Sequence, residues 1–480
     1  MSLTAPNRWA VLGLVCVAQF MVILDATIVN VALPTIEKGL HFSPTGLQWI
    51  VNAYTLVFGG FLLLGGRAAD LFGTQRLFIA GLVLFTGASL VNGIATSSGM
   101  LVGGRAVQGL GAALVSPAAL AIVTRTFRDG AERTKALGVW SAIAAGGGAA
   151  GLLLGGVLTE TLSWRWVFFI NLPIGIAAAL LALRMISNQV GDEKPETSDV
   201  AGAITVTGGL LVLVYAIVKA ETYGWTSGKT IGLFLAAVAL LVTFVAVELR
   251  SRAPLIRLDI FRTRSLSASN SAMLLVASGL FASFFFASLY VQQLRGYSPI
   301  QAGLAFLPFT LGIVIGATLA QTLIKRIGVR AVTLTGLAIA TVGMLLYTQL
   351  SLSGSYLGEL FPAVMVTSVG MGLTFVPVTL LATTNIPSED AGLASGLFNT
   401  AQQIGGALGL AVLSTLAATR TSHREGALGH DAALVSGYHL AFLVGGSLMA
   451  VAIVVLATLI RRRDVQGIQE AAGEGLPIAA

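Results

Sequence analysis

The chain has 480 residues, of which 55% are hydrophobic and 10% charged, with a formal net charge of +7. Soluble domains run near 25% charged, so a chain this apolar is expected in a bilayer. Its basic residues are scattered between apolar runs, which excludes a nucleic-acid-binding patch as the source of the charge. The single cysteine, Cys16, excludes an intrachain disulfide, and His423, His430 and His439 lack the carboxylate or thiol companions of a metal site.

A lipid-spanning helix needs about 20 apolar residues. Fourteen such runs occur in chain order, at 9–33, 46–64, 77–96, 100–123, 136–158, 166–186, 200–219, 230–249, 268–292, 301–324, 332–350, 358–384, 393–418 and 437–460. The run from Trp9 is too long for a secretory h-region and reads as a retained first span. With the N-terminus in the cytoplasm, inner segments carry 20 of the lysines and arginines, outer segments carry 7, and Arg105 falls inside a span. That bias and the even count predict both termini on the inner side. The expected fold class is an all-α multi-pass membrane protein.

The first span holds "QFMVILDATIVNVALP" (19–34), and in it Asp25. A carboxylate there costs roughly 2.5–3.5 kcal/mol on insertion scales, so its presence asks for a function. Helical spacing places Ala18, Val22, Asp25, Val29 and Ala32 on one stripe, small and apolar apart from the acid, as a face near a cavity would be. A carboxyl withdrawn from water can take a proton from one side of the membrane and release it to the other. When ionised it can attract a cation. The structural alternative is an acid that caps a neighbouring helix or pairs with Arg105. That arginine lies a few residues into the fourth run, three before Gln108 on the same helical side. It stays charged and carries no proton.

Between the second and third runs lies "GRAADLFGTQR" (66–76). Gly66 and Gly73 suit a tight turn there, and Asp70 can meet a helix N-terminus or Arg76. The fifth run carries Gly138, Gly147, Gly151 and Gly155, a strip that lets two helices approach closely. Gly396, Gly405 and Gly409 repeat the first three at the same spacing 258 residues later, and "FGTQRLFIAGL" (72–82) aligns with "IGVRAVTLTGL" (327–337) at an offset of 255. Parallel repeats of this kind mark transporters that rock one half against the other. The expected organisation is a six-helix bundle at 1–187, a two-helix insert and inner loop at 188–265, a second six-helix bundle at 266–461 and an inner tail at 462–480. In the inner loop, "RSRAPLIRLDIFRTR" (250–264) spaces Leu255, Leu258 and Phe261 among arginines, which suits contact with membrane lipids. "GGGAAG" lies within a span and no Walker sequence is present, so neither a nucleotide cofactor nor ATP is expected as the energy source.

"LDATIVNVALP" (24–34), "GRAADLFGTQR" (66–76), "RAVQGLG" (105–111) and "WRWVFFINLPIG" (164–175) resemble the fourteen-span drug:proton antiporter branch of the major facilitator superfamily. The resemblance implies two six-helix bundles around a central cavity, with two extra helices between them. It implies export of lipophilic, often cationic, small molecules in exchange for protons. It ties Arg105 to proton coupling and makes the 66–76 segment a latch between the halves, with Gly66, Asp70, Gly73 and Arg76 as its parts. The chain departs from the family where Thr74 and Gln75 replace basic residues, and where Leu152 replaces the proline that comes after the glycine at 151.

On this reading the protein is a non-enzymatic, proton-coupled exporter of drugs or antibiotics, a monomer in a prokaryotic cytoplasmic membrane, with no catalytic residues, metal or cofactor. Asp25 and Arg105 serve proton coupling. Residue type in the expected spans suggests Asn30, Asn52, Tyr54, Phe58, Phe285, Tyr290, Gln293, Phe398 and Gln402 as substrate-lining positions near mid-membrane. The alternative is a narrow-substrate exporter, or an importer, of a metabolite or lipid.

Overall fold

The computed structural model describes residues 7–127, 131–186, 199–251, 254–383, 386, 390–461 and 465. Those residues are all-helical, with no strand among them. In lipid the backbone must satisfy its own hydrogen bonds, which the helix does within one segment. The long helices are α1 (Arg8–Leu40), α2 (Trp49–Phe72), α3 (Thr74–Gly93), α4 (Ser98–Thr126), α5 (Ala131–Thr161), α6 (Asn171–Met185) and α7 (Val200–Tyr223). They continue as α8 (Gly228–Arg250), α9 (Arg264–Leu289), α10 (Leu307–Ile327), α11 (Val329–Leu346), α12 (Phe361–Thr383), α13 (Ala391–Leu428) and α14 (His430–Leu459). Thirteen segments of the described residues are long and apolar enough to cross a membrane. The fifth expected span falls on α5.

Local chemistry sets several boundaries. Asn7 and Ser97 cap α1 and α4 by accepting from the backbone N–H groups of Trp9 and Met100. The sixth span is broken: a short helix, Trp166–Phe169, ends at Ile170 before α6 begins. Pro173 lacks the N–H that would reach back to the carbonyl of Phe169, so the break falls where that bond is missing. At 66–76 the expectation of a turn needs correction. Gly66 lies inside α2, which runs on to Phe72, because the intervening Arg, Ala and Leu are good helix formers. Only Gly73 turns the chain, at φ 92°, and Gly328 does the same between α10 and α11 at φ 84°. Leu152 keeps its N–H, and α5 runs unbroken through it.

By contacts the chain forms two units: residues 1–211, 236–255 and 298–304, and residues 212–235, 256–297 and 305–480. In the first, α1 packs on α4, α5 and α6, α2 on α4, and α3 on α4 and α6. In the second, α9 packs on α12, α13 and α14, α10 on α12, and α11 on α12 and α14. These pairings recur in the two units, and the second adds α13 on α14. A methyl on Gly147 would come 3.0 Å from Ile23, one on Gly151 would overlap Thr27 Oγ1, and one on Gly155 would lie 2.7 Å from the carbonyl of Ile28. In the second unit, methyls on Gly405 and Gly409 would overlap the backbone of Leu274 and Ser278. The surroundings of Gly138 lie outside the described residues. Of the 250–264 segment, Leu255 and Ile260 are buried while Phe261 is exposed.

Candidate functional site

Helices of the first unit bring polar side chains to one point inside an apolar bundle. Asp25 on α1, Arg105 and Gln108 on α4, Asn92 and Ser89 on α3 and Asn171 on α6 are all at most 1% exposed. Arg105 Nη1 is ion-paired with Asp25 Oδ2. Gln108 Nε2 donates to Asp25 Oδ1 at 2.6 Å and to Ser89 Oγ at 2.8 Å. Asn171 Nδ2 donates to the same Asp25 oxygen at 2.9 Å. Arg105 Nη1 and Asn92 Nδ2 each donate to Gln108 Oε1 at 2.8 Å. Arg105 Nε reaches the Ile50 carbonyl on α2 at 3.0 Å, and its guanidinium lies 4.3 Å over the ring of Tyr54. Tyr54 packs against Phe58 at 5.9 Å and its hydroxyl donates to the Val22 carbonyl at 3.5 Å.

Local structure produces this arrangement. Arg105 and Gln108 are three residues apart on α4 and point to one side. Ser89 and Asn92 share that spacing on α3. The break at Ile170 puts Asn171 at the first residue of α6. Gly147, Gly151 and Gly155 let α5 close on the other side of α1 and hold it in place.

The geometry revises the sequence reading of Asp25. Its stripe does not border a cavity: Ala18, Val22, Val29 and Ala32 are buried with it among the helices. Its carboxylate already accepts from Arg105, Gln108 and Asn171. A cation nearby would therefore sense the net charge of the Asp25–Arg105 pair, which is zero, rather than a bare carboxylate. A proton on Asp25 would leave the Arg105 charge uncompensated, and in a medium of low dielectric that change reaches further than in water.

Of the other candidates, Tyr54 joins the cluster and Phe58 adjoins it. Asn52 is buried and donates to Gln48 Oε1 at 3.4 Å. Asn30 is half-buried and donates to its own helix, at Ala26 and Thr27. In the second unit Phe285 packs edge-on against Phe286 at 5.3 Å. Tyr290 and Gln293 lie in a wide helical turn, Tyr290–Leu294, after α9, so neither is at the middle of that helix. The Tyr290 hydroxyl donates to the Ser351 carbonyl at 2.6 Å, and Gln293 accepts from Tyr438. Phe398 is buried and Gln402 half-buried on α13. Arg76 is exposed on the first turn of α3; the side chain of Asp70 lies outside the described residues. Ser89, Asn92 and Asn171 escape the sequence reading. Their signal is an uncharged polar residue within an apolar run, which is common and says nothing of its partner.

A sequence profile of the Major Facilitator Superfamily matches residues 15–410. The chain is 40% identical to the puromycin resistance protein of Streptomyces alboniger over 420 residues, 87% of this chain and 83% of the other. It is 40% identical to the cephamycin export protein of Amycolatopsis lactamdurans over 455 residues, 94% of this chain and 92% of the other. Among solved structures, a bacterial homologue of the human lysosomal transporter Spinster, in an inward-facing and unoccupied conformation, superposes with a TM-score of 0.69. At 15% identity over 96% of this chain and 99% of that one, it speaks to the fold alone.

Proposed function

The chain belongs to the Major Facilitator Superfamily, a family of transporters rather than enzymes, and on that premise we propose that it exports antibiotic-like or other lipophilic small molecules in exchange for protons. Its relatives support export: they include proteins named for resistance to puromycin and tetracenomycin C, for cephamycin export and for multidrug resistance. The observation that carries proton coupling is the buried cluster around Asp25. An acid held by one arginine and two amides, with no exposed surface, has a role in the membrane beyond solvation. Asp25 takes a proton in one state of the cycle and loses it in the other. The protonated pair carries the Arg105 charge and disfavours a cationic substrate; the deprotonated pair is neutral and admits it. Proton and substrate thereby exclude each other.

Around this centre the reading includes fourteen spans, both termini in the cytoplasm, a bacterial cytoplasmic membrane and a working monomer. Asp70 and Arg76 latch one state of the cycle. Tyr54 and Phe58, beside the cluster, supply an aromatic surface to the substrate.

Exchange of one proton for one monovalent cation moves no net charge. The membrane potential, worth roughly 2.3 kcal/mol per charge per 100 mV, then adds nothing. The pH gradient alone drives export, at about 1.4 kcal/mol per pH unit. The test is transport of a monovalent cationic dye in inverted membrane vesicles, with pH gradient and potential imposed separately. Parent protein should respond to the pH gradient only, and Asp25→Asn should export at background rate. Export driven by potential alone would show a second proton site. Full proton-linked export by Asp25→Asn would overturn the assignment.

A further inference from the structure

Resting on the reading of Asp25 as the proton carrier, we propose that Asn171 is the positioning residue that accommodates the proton, by turning its side-chain amide over. A carboxyl needs different partners in its two states. Ionised, Asp25 needs donors, and it has them: Arg105 Nη1, Gln108 Nε2 and Asn171 Nδ2. Protonated, it carries an O–H that needs an acceptor, and a buried donor left without one is destabilising. Arg105 has no acceptor atom. Gln108 Oε1 already accepts from Arg105 and Asn92. Ser89 Oγ already accepts from Gln108 and, at 3.4 Å, from Asn171, and spends its own proton on the Phe85 carbonyl. One further side chain touches the carboxylate, Asn171, and its Oδ1 is buried with no hydrogen-bond partner.

An asparagine amide has a donor end and an acceptor end of nearly the same size. Turning it by half a circle exchanges Nδ2 for Oδ1 against Asp25 without moving the backbone. When Asp25 takes a proton, an O–H bond forms at Oδ1 of the carboxyl and the charge of the group goes from −1 to 0. Asn171 Oδ1 then accepts that O–H, and Nδ2 turns toward the space Oδ1 held. When the proton leaves, the amide turns back and Nδ2 again donates to the carboxylate. The other direct neighbours serve only the ionised state; Asn171 serves both.

The experiment is pH-difference infrared spectroscopy on the purified protein in lipid, paired with dye export. In the parent, acidification produces a carboxylic C=O band that Asp25→Asn removes. Asn171→Leu should shift that band to the higher frequency of a carboxyl whose O–H has no acceptor, and should slow proton-driven export about tenfold, the loss of roughly one buried hydrogen bond. Asn171→Gln, which keeps both ends of the amide, should restore the band toward its parental position. A second measurement needs no change at Asn171: in parent protein grown with 13C-asparagine, an amide C=O band should shift on acidification and stop shifting in Asp25→Asn. If Asn171→Leu leaves the Asp25 band where it was, or if the labelled amide does not respond, the proposal is wrong while Asp25 remains the carrier. If Asp25→Asn removes neither the band nor proton-linked export, the functional reading itself fails.

Discussion

Gly151 against Thr27 and Gly409 against Ser278 are one contact made twice, and so are Gly111 against Phe85 and Gly370 against Ala340. These close approaches set the first unit on the second with a shift of 251 residues for α1 and α9, 255 for α3 and α11, and 259 for α4 and α12. On those shifts Asp25 corresponds to Val276, Ser89 to Met344, Asn92 to Tyr347, Arg105 to Val364 and Gln108 to Thr367. All five of the second unit's residues are buried. Where the first unit has a hydrogen-bonded charge pair, the second has aliphatic side chains, the hydroxyl of Thr367 and an aromatic stack, Tyr347 on Phe442 at 4.9 Å. The packing scheme is therefore indifferent to what fills this position. Asp25 is held as a charge in one bundle because donors on α4 and α6 meet it. At the matching positions of the other bundle stand Val276 and Val364, and neither charge is present.

The strongest way to break that comparison is to move the acid. Val276→Asp places a carboxyl at a position whose counterparts of Arg105 and Ser89, Val364 and Met344, offer it no cation. Uncompensated buried charges cost roughly 3–5 kcal/mol, enough to remove most of the folded protein. Thermal unfolding in detergent, followed by intrinsic fluorescence, should show a collapse of the melting temperature or no recoverable monodisperse protein. A Val276→Asp variant as stable as its parent would mean that the second unit does compensate a charge there, and the contrast between the halves would be false.

The next test sharpens the part of the comparison that the halves share. A methyl added at Gly409 meets the Cα of Ser278, so backbone must move. A methyl added at Gly151 meets first the hydroxyl of Thr27, a side chain bonded only to carbonyls of its own helix, Ile23 and Leu24, at 3.1 Å. Overpacking costs typically 1–3 kcal/mol. Gly409→Ala should fall toward the upper end of that range and Gly151→Ala toward the lower. The measurement is the same unfolding curve. Equal losses would show that Thr27 is as rigid as backbone.

These residues also show what a sequence can and cannot disclose. The helices are legible because each span must be a long apolar run, and the repeat because glycines recur where two backbones touch. Asp25 and Arg105 are legible because a charge in an apolar run is costly and stands out. Asn171, Ser89 and Asn92 are not, since an uncharged polar residue in a span costs little and nothing in its neighbours names its partner. The small apolar stripe around Asp25 suggests a cavity wall, yet such residues serve equally for close packing inside a helix bundle, and here all of them are buried. Gly66 suggests a turn, though its backbone is helical. Only φ separates it from Gly73, and glycine identity leaves that angle free; the leucines before Gly65 and the Arg-Ala-Ala after Gly66 decide it.

The smallest effect concerns the C-terminal end of α5. The segment 298–304 comes after α9 in sequence, yet its contacts group it with the first unit. A methyl on Gly156 would lie 2.6 Å from the carbonyl of Pro299, and a methyl on Gly303 2.5 Å from that of Leu152. Glu160, in the last turn of α5, accepts from the backbone N–H of Ile300 at 2.9 Å. A hydrogen bond from Ser298 and then that N–H hold its carboxyl below the ordinary glutamate range. A depressed carboxyl contributes to a contact above its ordinary range and ceases to as pH falls through the held value. The tie is therefore complete at neutral pH and is lost as pH falls below the ordinary glutamate range. Glu160 is exposed, so solvent screens the charge and the contribution is modest. Glu160→Gln keeps an acceptor but loses the charge. At pH 7 the Ile300 amide should exchange its hydrogen about two- to threefold faster in the variant, the change expected when a charge-assisted hydrogen bond becomes a neutral one. Mass-resolved exchange of a peptide covering 298–305 reads this directly. Parent protein acidified below the ordinary glutamate range, corrected for the intrinsic rate, should approach the variant, since protonation there removes the same charge. Unchanged exchange in Glu160→Gln would leave the two glycine contacts as all that docks this segment.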